Sequence, residues 1–462
     1  MSSSKEQRFL KSAMDEYGAK TSTEQVVQWL AWRNREVVVR VSPTRLSQMK
    51  DWALEESSGR IRHSSGKFFS IDGIRVDTNW GTRPAWAQPI INQPEIGFLG
   101  CITHEFNGVL HFLIQAKVEP GNVNCVQLSP TLQATKSNYT RVHHGKSPKF
   151  LEWFTDRSRS RVLLDQLQSE QGARFLHKRN RNIIIEVDAE IPDDLDFVWL
   201  TLGQIKRLMT FDNAVNMDLR TVVSGIPFGQ EGLGRNPASF AEAMHASATE
   251  TQNHFLPIDD IISWFTDQKT KFDLQITPCD LWAIEDWELS DECLRHKGDQ
   301  FFRVIWVDVE ISNREVTFWQ QPLVEPVREG IIAFVVKRIQ GVPHFLVQAK
   351  LECGNFDILE FAPTVQCITG SYANSLKVLP YLEYVLTAQA DQIRYDTRQS
   401  EEGGRFYHEQ NRNLVIEADE DFPVACPENY QWMTLNQLLM FARFNNYLNI
   451  QARSLLSTLR FV

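Results

Sequence analysis

The sequence predicts an α+β protein made by internal tandem duplication, with mixed, mostly antiparallel sheets and flanking helices. Two observations carry this. The segment HFLIQAKVEPGN, starting at His111, returns as HFLVQAKLECGN from His344, an offset of 233 (344 − 111). A second segment, SEQGARFLHKRNRNIIIEVD from Ser169, returns as SEEGGRFYHEQNRNLVIEAD from Ser400, an offset of 231 (400 − 169). A repeat period this long means one folded unit copied once, and it is the first thing a fold prediction has to respect.

Each copy opens on a helical pattern, STEQVVQWLAWR or PIDDIISWFTDQ, behind a Ser/Thr or Asp cap. Trp29 pairs with Trp264, and Asp51-Trp52 with Asp286-Trp287. VLHFLIQAKV and VPHFLVQAKL are apolar runs that follow Asn107-Gly108 and Gln340-Gly341, so each predicts the second strand of a hairpin. RNIIIEVD and RNLVIEAD read as buried strands. FVWLTLGQIKRLM and YQWMTLNQLLMFARF read as a strand end running into an amphipathic helix. Mixed elements in this order favour antiparallel pairing over a wound parallel sheet. The expected division is a first repeat over residues 1–223, a Gly/Ser/Ala-rich linker over 224–254 holding one short helix, and a second repeat over 255–462.

The chain has 462 residues and a net charge of −10, with a pI near 5.6. That balance argues against nucleic acid as a partner, since phosphate backbones are held by basic faces. No apolar run approaches the roughly 20 residues of a membrane helix, and no signal-peptide core opens the chain, so the expectation is a cytoplasmic protein. Its seven cysteines form no CxxC pair and none has a cysteine at the equivalent repeat position, which points to buried thiols. Dinucleotide, P-loop, zincin and EF-hand signatures are all missing.

The polar residues kept in both copies are the candidates for chemistry. Lys117 and Glu119, with Lys350 and Glu352, lie two apart on a strand and face one side; the alternative is a solvated strand face. The GxRFxHxxNRN segment gathers Arg174, His177, Asn180, Arg181 and Asn182, matched by Arg405, His408, Asn411, Arg412 and Asn413. So many forked donors suit phosphate or sugar hydroxyls, or else cap neighbouring strands. After Pro-Thr the copies part: Arg141, His143 and His144 stand opposite Asn374, Leu376 and Lys377. Trp52 and Trp287 are either ring-stacking residues or core.

These segments in order, HFLxQAKxExGN, SPTxQxTxSNYTRVHxG and EGxRFxxxxNRNxxxE, closely resemble the NDP-hexose 2,3-dehydratases of bacterial deoxysugar biosynthesis over nearly the whole chain. The resemblance implies two Nudix-like domains from a gene duplication, a homodimer, and dTDP-4-keto-6-deoxy-D-glucose as substrate. It also implies a nucleotide-sugar pocket in each copy with one of them catalytic. Neither copy holds a Nudix box, so no metal is expected. The reaction needs no cofactor: a base takes the C3 proton that the C4 ketone acidifies, and an acid protonates the departing C2 hydroxyl.

On this basis His177 or His408 is the expected base, and Lys117 or Tyr139 (Lys350 or Tyr372) the acid or enolate donor. Arg141, Arg174 and Arg181 would hold the diphosphate. Trp52, Asn138, Thr140 and Asn180 complete the first pocket; Trp287, Asn374, Arg405, Asn411 and Arg412 belong to the second. The first copy is the expected catalyst, its 3,4-diketo product passing to a 3-ketoreductase. Two rivals stand beside it: a Nudix-type nucleotide-sugar hydrolase, and a protein that binds a nucleotide sugar without changing it.

Overall fold

The structure is a computed structural model, described here for residues 4–135, 148–189, 191–229, 237, 239–312, 316–367 and 379–462. Each copy contains a seven-stranded mixed sheet. In the first, the order runs Arg161–Ser169, Arg179–Glu186, Gly97–Phe106, Val109–Val118, Phe197–Thr201, with Val126–Ser129 and Leu132–Ala134 on the two central strands. The second repeats the plan around Gly330–Ile339 and Val342–Leu351. Within these two sheets pairing is antiparallel except where Gly97–Phe106 runs beside Arg179–Glu186, and Gly330–Ile339 beside Gln410–Glu417.

Local chemistry explains these elements. Both hairpins turn on two residues of positive φ, Asn107 and Gly108 (51° and 73°) and Gln340 and Gly341 (53° and 81°), the mirror-image turn that matches strand twist. Thr201 and Thr434 end one strand and cap the next helix, each closing a capping box with a glutamine three residues on. The Thr23–Glu36 helix has the expected cap, Ser22, whereas Ile258–Thr270 starts from Pro257 with Asp259 and Asp260 in its first turn. Among the described residues of the segment expected as linker lies one complete helix, Phe240–Thr249.

The two copies are interlocked. Val39–Pro43, from the first, pairs with Phe302–Ile311 of the second; in return Leu274–Cys279 pairs with Ser70–Thr78. Two further sheets, of five and six strands, therefore mix both copies. Trp52 and Trp287 open short strands here and are buried, with their indole N–H groups donating across the copies, to Gln320 O and Ala87 O.

A second tie is reciprocal. The amide of Gly121 donates to Gly403 O at 2.8 Å and that of His408 to Gly121 O at 2.8 Å; Gly354 N to Gly172 O and His177 N to Gly354 O repeat this at 2.6 and 2.7 Å. Helices Met217–Ser224 and Ile450–Ser457 form the third. The buried Arg220 donates to Ser454 Oγ at 2.5 Å, and Arg453 to Ser169 O. One continuous apolar core runs from Phe9 to Phe461 through both copies.

Candidate active site

A cavity of about 620 Å³ opens in the first repeat, within the range of roughly 300–1,000 Å³ usual for small-molecule sites. Its floor is the end of the Val109–Val118 strand. Strand alternation puts Lys117 and Glu119 on one side, as the spacing predicts, and they face this cavity. Glu119 is only 6% exposed, which excludes the solvated strand face.

Gln133 holds the two together. Its carbonyl accepts from Lys117 Nζ at 3.1 Å, and its Nε2 donates to Glu119 Oε1 at 2.9 Å. Asn216 then donates from Nδ2 to Gln133 Oε1 at 3.2 Å, and its own Oδ1 caps the Met217–Ser224 helix at Leu219 N. That cap places Asp218 in the first turn, facing the cavity and 3% exposed. Burial lifts its carboxyl well above the usual carboxylate range, and the nearby Glu402, Glu119 and Glu170 add to the effect against Lys117. Asp218 therefore holds its proton more firmly than an ordinary carboxyl.

The other wall comes from the second repeat. Glu402, Gly404 and Arg405 line the same cavity, as does Trp319. Arg405 lies with its guanidinium 4.2 Å over the Phe69 ring and donates from Nε and Nη2 to Gln93 Oε1, both at 3.1 Å. A Cβ on Gly404 would stand 3.1 Å from Glu402 Oε1 and 3.4 Å from Glu119 Oε1, so the two carboxylates flank one glycine. Burial, with Glu170 and Glu119, pushes Glu402 up to about 7 against Arg405 and Lys178. Lys178, buried, donates to Glu95 O; burial lowers its pKa while Glu170 and Glu402 oppose. Asn180 joins the wall, with Nδ2 on Glu170 Oε1 at 2.8 Å.

Other expected residues fall elsewhere. His177 has left-handed backbone (φ 49°) in the interlock, and its exposed ring lies 5.0 Å from that of Phe356, outside the cavity wall. His408 does the same at φ 51°, stacked on Tyr407. Both are placed by their backbone, a demand that residue type does not reveal. Arg174 crosses to the second repeat, buried 4.1 Å over Phe302 near Glu409, Glu352 and Glu401. It cannot hold a diphosphate in the first cavity. Arg181 and Arg412 are forked onto Asp165 and Asp396 of the neighbouring strands. Asn138, Tyr139, Thr140, Arg141, Tyr372 and Asn374 lie outside the described residues, although Thr135 and Pro148 on either side of 136–147 line the cavity.

In the second repeat the scaffold is the same. Gln366 donates to Glu352 Oε1 at 2.8 Å and Asn449 to Gln366 Oε1 at 2.7 Å, while Lys350 matches Lys117 and Asn411 donates to Glu401. The ionisable positions differ. Gln451 replaces Asp218, Glu409 replaces Lys178, and Gln171 replaces Glu402. Sequence reading passed over all three, yet the signal was there: NMDLRTVV against NIQARSLL at the 233 offset, and SEQGARFLHK against SEEGGRFYHE at 231.

Among the described residues no helix is long and apolar enough to cross a membrane, and no group of three or more His, Cys, Asp or Glu is placed to hold a metal.

Comparison with known proteins gives this geometry a context. A family model described as NDP-hexose 2,3-dehydratase matches twice, over residues 23–226 and 258–459, in step with the duplication. Three relatives bear the name dTDP-4-dehydro-6-deoxy-alpha-D-glucopyranose 2,3-dehydratase. That of Saccharopolyspora spinosa is 43% identical, covering 99% of this chain and 96% of its own length. Those of Streptomyces violaceoruber and Amycolatopsis orientalis are 44% and 42% identical, covering 95% and 97% of this chain, and 97% and 93% of their own lengths. This chain is an enzyme of the NDP-hexose 2,3-dehydratase family.

Proposed function

We propose that the chain removes water across C2 and C3 of dTDP-4-keto-6-deoxy-D-glucose, in the cavity of the first repeat. One observation carries the choice of repeat. Lys117, Glu119 and Asp218, whose carboxyl burial lifts well above the usual range, converge there, and the second repeat has an amide, Gln451, where that carboxyl stands.

The chemistry follows from the substrate. The C4 ketone acidifies the C3 proton, and a carboxylate of the cavity removes it. Lys117 donates to the C4 oxygen as negative charge develops on it. Asp218, protonated, gives its proton to the C2 hydroxyl, which leaves as water. The product is an enol with a C2=C3 double bond, which tautomerises to the 3,4-diketo-2,6-dideoxy sugar. The aromatic side of the cavity, with Trp52, Phe69 and Trp319, suits the thymine and sugar rings.

The same reading takes the 1–223 and 255–462 repeats as Nudix-like units, joined through 224–254, that assemble as a homodimer. It places the enzyme in the cytoplasm, in deoxysugar biosynthesis, where its product would go on to a 3-ketoreductase.

The test is incubation of the purified chain with the keto-sugar nucleotide in EDTA. Loss of one water by mass spectrometry, with the diphosphate intact, is the expected result. Release of a nucleoside monophosphate that depends on a divalent cation would replace this reading with hydrolysis. An unchanged sugar on a chain that binds it would replace it with a binding role.

A further inference from the structure

We infer that the base is Glu402, a residue of the second repeat that completes the first repeat's cavity. The inference rests on the dehydration reading above and names the group that it leaves open.

Geometry supplies the first support. Glu402 belongs to the segment that the interlock clamps: Gly403 O accepts from Gly121 N, and Glu402 O accepts from Phe406 N at 2.9 Å. Since Gly121 follows Glu119 by two residues, the clamp sets Glu402 beside Glu119 in one register. Gly404 has no side chain to come between the two carboxylates. Glu402 lines the cavity together with Lys117 and Asp218.

The competing carboxylates are committed elsewhere. Glu119 accepts from Gln133 Nε2, and Glu170 from Asn180 Nδ2. Each bond fixes one oxygen of its carboxylate on the scaffold of the first repeat. Among the described residues no hydrogen bond holds the Glu402 carboxylate. Its position near 7, raised by burial and by Glu170 and Glu119, is suited to taking a proton at neutral pH.

Duplication supplies an independent argument. Glu119 and Glu170 recur as Glu352 and Glu401, so they belong to the scaffold of both repeats. Glu402 does not recur. Its counterpart Gln171 turns into the second repeat's interior and donates to Glu401. The first cavity alone therefore has both a carboxylate at this position and one at 218. That is the minimum for an elimination, one group taking the C3 proton and the other giving a proton to the C2 oxygen. The proton count closes with Glu402 protonated, Asp218 ionised and one water released; proton exchange resets the pair. The chain must keep both repeats to run one site.

The experiment separates proton removal from loss of water. Wild type, Glu402→Gln, Glu402→Asp and Asp218→Asn are given dTDP-4-keto-6-deoxy-D-glucose in D₂O, and deuterium at C3 is followed by NMR beside product formation. Glu402→Gln places in the loop the residue that the other repeat already carries there. The expected result is a loss of kcat by about 10²–10⁴-fold in Glu402→Gln, no deuterium at C3, and dTDP affinity within a few-fold of wild type. Asp218→Asn should take up deuterium at C3 without losing water. Glu402→Asp should recover part of the exchange.

Exchange at the wild-type rate in Glu402→Gln would overturn the inference, as would loss of exchange in Glu119→Gln with Glu402→Gln still active. Full dehydration by Asp218→Asn would instead overturn the underlying reading of the cavity.

Discussion

Asp218 and Gln451 occupy the same position on two equivalent helices, held by the same bonds, and only one of them can give up a proton. Asn216 Oδ1 caps Leu219 N at 2.9 Å, and Asn449 Oδ1 caps Ala452 N at 2.9 Å. Both cap residues reach back to a glutamine, Gln133 or Gln366, that steadies a buried glutamate. Gln451 is fully buried, with neither amide atom hydrogen-bonded among the described residues.

Removing the acid should stop the reaction without unfolding the chain. Asp218→Asn is expected to lower kcat by about 10²–10⁴-fold while thermal stability stays the same or rises, because a buried, raised carboxyl is replaced by a neutral amide of its shape. Gln451→Met should leave turnover within a few-fold, since it removes an amide that has no partner and lies outside the first cavity. Equal losses in the two variants would show that the repeats share the work.

The pH profile of kcat/KM should rise through a midpoint near 7 as Glu402 ionises. Burial, Glu170 and Glu119 set that midpoint against Arg405 and Lys178, with Lys117 and Asp218 across the cavity. On the alkaline side the rate should fall as Asp218 loses the proton that burial holds. Replacing Lys178 by Met removes a cation beside Glu402 and should move the acidic limb upward. A midpoint unchanged in that variant would detach Lys178 from the base.

Glu360 should contribute a folding stability that falls as pH rises. Glu360 is pushed up to about 8 by burial, against Arg453 and the Ser169 hydroxyl, from an ordinary value of 4.5. A carboxyl raised in the folded state favours folding fully below its unfolded value, and that contribution is lost as pH rises through the folded value. This group's contribution should therefore decline between about pH 4.5 and 8, by at most about 1.4 kcal/mol per pH unit. Glu360→Gln, which copies Gln127 of the first repeat, should flatten part of the slope in urea titrations at pH 5, 6.5 and 8.

Much of this was legible in the sequence, and the part that was not has a physical cause. The hairpins at Asn107-Gly108 and Gln340-Gly341, the helices behind Ser22 and Thr201, and the shared side of Lys117 and Glu119 all follow from local chemistry. Local chemistry says nothing about strand exchange. Val39–Pro43 lies beside Phe302–Ile311 because two copies of one fold traded strands, and either pairing satisfies the same hydrophobic pattern. That exchange explains why Arg174 and Arg405 each serve the other repeat. The shared histidines misled for a related reason. His177 and His408 are kept where the interlock needs a left-handed backbone, and similarity between copies marked the scaffold. Difference between the copies falls at Asp218, Lys178 and Glu402, the positions on which the proposed chemistry rests.

The interlock itself is open to a direct test. Gly121 and Gly354 each lie against the backbone of the other repeat, and a Cβ there would stand 1.6 Å from Phe406 O or 1.8 Å from Phe175 O. A carbonyl held in that turn cannot swing aside as a flexible side chain can, so the clash must be relieved by parting the loops. Gly121→Ala and Gly354→Ala should each cost at least about 1–3 kcal/mol, the usual range for overpacking, read as a lower urea midpoint. Their effects on catalysis should differ. Gly121→Ala displaces the segment carrying Glu402 and Arg405 and should lower kcat well beyond the fraction unfolded. Gly354→Ala disturbs the second repeat's side, where Gln171 and Arg174 lie, and activity should follow the folded fraction alone. If both variants lost activity only in proportion to unfolding, the clamp would be a stabilising device without a part in building the site.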